Sequence, residues 1–157
     1  MMRVIRYRTI LAEDQKAVLE KEMSVNYPGL NRKMNSPTNV MTLAREVLRM
    51  HELAEEHLYM ACMNTKLELI SVFELSHGNV NSSIFSIREM FQKALLANAV
   101  SIIVMHNHPS GDPTPSKEDI TVTERMVAAG KMIGINVLDH IIVGRPMFIS
   151  LQERGYM

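Results

Sequence analysis

One run constrains this chain more than any other: Val100-Ser101-Ile102-Ile103-Val104-Met105, which stops abruptly at His106-Asn107-His108-Pro109. A continuous, partly β-branched apolar run without alternation belongs to a strand covered on both faces. A fold built around such a strand needs helices above and below its sheet. The 157 residues and a 46% hydrophobic content supply enough material to bury that core without staples. The single cysteine, Cys62, excludes an internal disulfide framework and a multi-cysteine zinc ribbon. Fourteen methionines are explained by their use as adaptable core fillers.

The punctuation around this strand sets the element order. Ser36-Pro37 reads as an N-cap with proline at the first helical position. Val40, Leu43, Val47, Met50 and Ala54 then recur at helical spacing, predicting a helix that ends near Glu55 or Glu56. Leu58–Met63 reads as a buried strand, Asn64-Thr65-Lys66 as a turn, and Leu67–Phe73 as the hairpin partner. A loop around Gly78 follows. Ser86 and Glu89 have capping-box spacing, opening a helix from Ile87 to about Ala97 that Asn98 stops. Ser116 opens the next helix and Gly134 closes it. Val137–Val143 and Met147–Ser150 are the last strands, joined through Gly144-Arg145-Pro146. The expected fold is therefore α/β: a mixed sheet, interrupted by hairpins, with helices on both faces.

Residues 1–35 hold seven Lys/Arg and four Asp/Glu, while the whole chain carries seventeen of each. This segment is expected to be a mildly basic N-terminal arm, with a short polar helix over Ala12–Met23 and a turn at Asn26-Tyr27-Pro28-Gly29. Residues 36–157 form the main domain. No apolar run reaches the roughly 18 residues of a membrane span. The N-terminus has no apolar segment of the kind that leads a secreted chain. The cytoplasm is the expected compartment.

His106 and His108 are two apart at the end of a strand, so both imidazoles project to one side, past the end of a buried sheet. Asp119 falls in the first turn of the helix opened by Ser116, and a Pro/Gly-rich loop can bring it back to the histidines. Two imidazoles and a carboxylate form a three-ligand set suited to Zn²⁺, with the fourth position open. Taken alone, His-x-His is a weak signal, and Ser116 with Asp119 has an ordinary reading as a capping box. Capping would itself fix those two side chains in place. His140 follows Asp139 in a strand and either orients a ligand or is a satisfied core histidine. His51, His57 and His77 read as surface or helix-end residues, and Cys62 as inert packing.

The string His106-x-His108, seven residues, Ser116-x-x-Asp119 resembles the JAMM motif of the MPN (JAB) zinc metallo-isopeptidases. The fuller run from His106 to Asp119, with Arg88-Glu89 and Leu138-Asp139-His140-Ile141-Ile142-Val143-Gly144, is similar to the RadC-like branch of that family. The resemblance covers about residues 37–157. It implies an MPN/JAB core, a curved mixed sheet flanked by helices, with an architecture related to the cytidine deaminases. Deamination itself is disfavoured, because those enzymes take zinc ligands from a Cys-x-x-Cys element. By resemblance, His106, His108 and Asp119 hold Zn²⁺. Glu56 is the catalytic acid/base, with Glu55 as the neighbouring alternative. Ser116 hydrogen-bonds the oxyanion. The implied activity is metallopeptidase or isopeptidase-type amide hydrolysis by a zinc-activated water, with a protein or peptide as substrate. Asn107 stands where the isopeptidases usually carry Ser or Thr, which weakens any inference about a ubiquitin-like substrate. The alternative is a RadC-like factor associated with DNA repair or mobile elements, binding DNA or a protein partner. A DNA contact would depend on Arg3, Arg6 and Arg8, although a net charge of zero argues against strong sequence-independent affinity. A third reading, an MPN-fold scaffold used for partner binding without catalysis, is disfavoured because every metal ligand is present.

Overall fold

The computed structural model describes residues 2–78 and 86–157. Seven strands form one mixed sheet in the order β2-β1-β4-β3-β5-β6-β7. They are β1 (Met2–Leu11), β2 (Ala17–Tyr27), β3 (His57–Met63), β4 (Leu69–His77), β5 (Ser101–Asn107), β6 (Asn136–Val143) and β7 (Phe148–Ser150). The helices are α1 (Pro37–Thr42), α2 (Ile87–Leu96) and α3 (Lys117–Ile133). The α/β class and the mixed sheet are as the sequence predicts. The loop expected after Gly78 lies largely outside the described residues.

β5 lies inside the sheet between β3 and β6, and every one of its residues is buried. It runs antiparallel to β3 and parallel to β6. Strand alternation divides its side chains between two cores. Ile103 and Met105 join Tyr59, Ala61, Met63, Val40 and Leu43 on one face. Ile102 and Val104 join Leu58, Met60, Phe91, Ala94 and Met126 on the other, under α2 and α3. His106 continues the second series, so it emerges on the face that α3 covers. Cys62 is fully buried in that core, and burial pushes its thiol up to about 12, consistent with inert packing.

Two expectations are corrected. First, Ala12–Met23 does not form a polar helix. A turn at 12–16, with Ala12 N–H donating to the Lys16 carbonyl at 2.9 Å, folds β2 back on β1 as a hairpin. The physical reason lies in Met23, Val25 and Tyr27, which are partly covered in alternation with exposed neighbours, the period of a strand. β1 then pairs parallel with β4 at Arg6 and Val72, which joins the arm to the sheet. Second, the helix opened by Ser36 stops well before Glu55. It passes through a π turn over Leu43–Val47, and Arg49 adopts a left-handed backbone with φ of 51°. The chain reaches β3 through a short 3₁₀ turn at Met50–Glu52. No helix among the described residues is long and apolar enough to cross a membrane.

The loop from Pro109 to Pro115 is clamped against the β6–β7 turn. His108 N–H donates to the Val143 carbonyl at 3.0 Å, Arg145 N–H to Gly111 at 2.8 Å, and the Arg145 guanidinium to Pro109 at 3.0 Å. Gly144 permits this closeness, because a Cβ there would lie 2.4 Å from the Gly111 carbonyl oxygen and 2.8 Å from Pro113 Cδ. Replacing Gly144 by Ala therefore has to displace the loop that leads from His108 to Asp119. We expect Gly144→Ala to lower unfolding free energy by about 1–3 kcal/mol, the usual cost of overpacking. Urea denaturation checks this; an unchanged midpoint would show that the loop yields freely.

Candidate metal centre

Three elements converge at the C-terminal end of β5. His106 ends the buried run and is 1% exposed. His108 lies just past the strand. Asp119 comes from the first turn of α3, where a complete capping box fixes it: Ser116 Oγ accepts from Asp119 N–H at 3.0 Å, and Asp119 Oδ2 accepts from Ser116 N–H at 2.7 Å. The capping and ligand roles weighed for these residues are thus compatible in one geometry.

The donor atoms lie close together. His106 Nε2 is 2.9 Å from His108 Nε2 and 3.3 Å from Asp119 Oδ1, while His108 Nε2 is 3.4 Å from Asp119 Oδ2. Ligands bound at ~2.0–2.1 Å to a tetrahedral zinc ion lie about 3.3–3.4 Å apart, so two of the three separations already match. Glu56 Oε1 stands 3.9 Å from His108 Nε2. Glu56, His106 and His108 form one of the two carboxylate–imidazole groups of metal-holding size among the described residues. Of the two neighbouring acids, Glu56 faces this centre, and Glu55 is exposed and contacts the His77 ring. Ser116 is brought beside Asp119 but is itself exposed.

Hydrogen bonds fix which nitrogens carry lone pairs. Thr123 Oγ1 donates to the Asp119 carbonyl at 2.6 Å. That hydroxyl can then only accept from His140, whose Nδ1 lies 2.6 Å away. His140 is buried, and burial pushes its imidazole down to about 4, so it is neutral and its Nε2 is an acceptor. The 2.7 Å contact between His140 Nε2 and His106 Nδ1 is therefore donated by His106, which leaves His106 Nε2 with a lone pair. On the other imidazole, His108 Nδ1–H donates to the Asp112 carbonyl at 2.7 Å, leaving a second lone pair on His108 Nε2. Two nitrogen lone pairs 2.9 Å apart repel unless a cation lies between them, either a proton or a metal ion.

The electrostatics agree. Burial and the neighbouring His140 hold His106 well below its usual range, so it resists protonation. His108 is raised by its contact with Asp119, against the opposing effect of burial. Burial would raise Asp119, but the His108 contact, the His106 ring and the capping hydrogen bonds from Ser116 hold it well below the carboxylate range. Without a metal the proton belongs on His108, and a divalent ion would replace it.

Three positions of this site went unassigned in the sequence. His140, left between two readings, is hydrogen-bonded to His106 and orients it. Thr123 carries no motif signal, although its spacing of four from Asp119 puts it on the same helix face. Asn107, a departure from the isopeptidase pattern in the sequence, has a structural task. It is 1% exposed, donates through Nδ2 to the Glu55 carbonyl at 2.9 Å, and accepts through Oδ1 from His57 N–H at 2.8 Å. These two bonds bracket Glu56 and hold its backbone against β5. No local pattern signals a side chain that bonds backbone on a distant strand.

The orienting chain gives a test. Thr123→Val keeps the shape of the buried side chain but removes the hydroxyl that sets the His140 tautomer. We expect metal affinity to fall by about 10–100-fold, as for other partners of metal-bound histidines. Competition with a chromophoric chelator measures this, and unchanged affinity would show that the chain does not orient His106.

The chain is similar to known proteins over most of its length. A family model described as the RadC-like JAB domain matches residues 34–156. A UPF0758 protein of Caldanaerobacter subterraneus is 44% identical over 143 residues, covering 90% of this chain and 60% of the relative. A UPF0758 protein of Methanosarcina barkeri is 45% identical over 126 residues, covering 80% and 54%. One of Clostridium acetobutylicum is 46% identical over 125 residues, again covering 80% and 54%. The chain thus spans little more than half the length of these curated relatives.

Proposed function

The chain belongs to the RadC-like JAB domain family, and from that premise we propose that it is a zinc-dependent hydrolase of the metallopeptidase or isopeptidase type. The observation that carries this reading is the convergence of two imidazole lone pairs and one carboxylate on a single point, with a further carboxylate just beyond. His106, His108 and Asp119 would hold the ion. When bound, zinc supplies a Lewis acid for the substrate carbonyl and lowers the pKa of water to about 7. Glu56, at 3.9 Å from His108 Nε2, is within reach of a water at the centre; it takes the proton of the attacking water and returns it to the leaving amine. Ser116 Oγ accepts from Asp119 N–H, so its own hydroxyl proton is available to the oxyanion of the substrate. A groove of about 510 Å³, lined by Glu55, Glu56, Gly78, His108 and Pro109, borders the centre at Glu56 and His108 and would receive the substrate. The substrate class is a protein or peptide amide. The cytoplasm is the proposed compartment.

The DNA-binding alternative would rely on arm arginines, two of which are already paired with carboxylates. Arg6 pairs with Glu22 at 2.9 Å and Arg8 with Glu20 at 2.6 Å, both across the β1–β2 hairpin, and Arg3 donates to Ser24 Oγ at 2.8 Å. Glu22 and Glu20 thus offset two of the three arginines a phosphate backbone would use, while Arg3, bonded to a neutral hydroxyl, keeps its charge.

Desalted protein is expected to retain about one zinc per chain by elemental analysis, the occupancy of a three-ligand site. Asp119→Asn and His106→Ala should lose it. Glu56→Gln should keep the zinc while cleavage of a peptide library, followed by mass spectrometry, disappears. A wild-type protein that holds no zinc after zinc-replete expression, or a Glu56→Gln protein that cleaves normally, would contradict the reading.

A further inference from the structure

A second cluster of metal-ligating side chains lies beside the first and shares no residue with it. His57 opens β3 and His77 closes β4, and the two face each other directly in the antiparallel register. Their rings stack with centroids 4.3 Å apart and planes 13° from parallel. Glu55 contacts His77 Nε2 through its Oε2. One donor atom from each of Glu55, His57 and His77 lies within 4.8 Å of the others.

His57 is also oriented by a neighbour. Its Nδ1 meets Glu74 Oε1 at 2.6 Å, and the second Glu74 oxygen lies 3.9 Å from Arg6 Nη1. A proton on Nδ1, donated to that anchored carboxylate, leaves the Nε2 lone pair for a ligand. A carboxylate behind an imidazole is the arrangement that fixes the tautomer and raises the basicity of metal-binding histidines.

We propose that Glu55, His57 and His77 form a second divalent-metal site, for zinc or another ion that favours imidazole and carboxylate donors. The inference does not depend on the hydrolase reading. Two imidazoles on adjacent strands need only side-chain rotation to reach one ion, because the register already holds their backbones opposite each other. Such an ion would tie the start of β3 to the end of β4 on either side of Glu56. Gly78 N–H already donates to the Glu56 carbonyl at 2.9 Å, and Asn107 holds Glu55 and His57 from below. Occupancy would therefore brace the backbone that carries the carboxylate facing the first centre. Half-exposed Glu55 and His77 make this the weaker and more exchangeable of the two sites.

The test is isothermal titration of the metal-stripped, tag-free full chain with zinc chloride. Two equivalents are expected, one tight and one weaker. His77→Ala and Glu55→Gln, both at exposed positions, should remove the weaker equivalent and leave the tight one. Glu74→Gln should weaken it by about 10–100-fold. Asp119→Asn should remove the tight equivalent alone, so failure of the first centre and failure of this one give different results. A single equivalent in the wild type that survives His77→Ala overturns the second site, as does a second equivalent unaffected by both His77→Ala and Glu55→Gln.

Discussion

The 2.9 Å approach of His106 Nε2 to His108 Nε2 is the contact on which the rest of this site depends. In each neutral ring a hydrogen bond from Nδ1 at the far side leaves the lone pair on Nε2, facing the other ring. The His106 side is set by a chain through His140 and Thr123 to the Asp119 carbonyl, and the His108 side by the Asp112 carbonyl. Both chains end on the backbone of the segment that also supplies the carboxylate. The fold therefore prepares a point of high negative potential in a site where His106 and His140 are almost inaccessible to water. Such a point costs stability unless a cation fills it.

That preparation explains why so much structure is spent on short connections. The buried β5 delivers His106, the glycine at 144 lets the following loop pack against the β6–β7 turn, and the capping box of α3 returns Asp119 to the strand end. Asn107 performs the corresponding task for the opposite side, binding the backbone on both sides of Glu56. The two carboxylates therefore reach the histidines from different elements, each held by backbone hydrogen bonds rather than by packing alone.

Much of this was legible in the residues. The uninterrupted apolar run of β5, the Ser116–Asp119 spacing and the Gly134 stop are local signals, and each element they predicted is present within a residue or two. The resemblance to the RadC-like branch supplied what spacing could not, the choice of a glutamate near the start of β3. Local reading failed in two kinds of place. On β2, the charged stretch Glu20-Lys21-Glu22 masked a period of two that only the pairing with β1 makes stable. Beyond Leu43, a helical apolar stripe continued in the sequence while the backbone widened into a π turn and then broke at Arg49. Long-range partners were equally silent: His140 meets His106 across 34 residues and Asn107 meets Glu55 across 52. The pairing of His57 with His77 follows from strand register, which no single segment encodes.

On this reading His106, His108 and Asp119 share one ion. An anomalous difference map at the zinc absorption edge, from crystals of the protein as purified, tests it most directly. One strong peak is expected within bonding distance of both Nε2 atoms and an Asp119 oxygen, at the ~2.0–2.2 Å typical of zinc. A map in which the two imidazoles are bridged by a proton alone, with no peak there in zinc-replete protein, would contradict it.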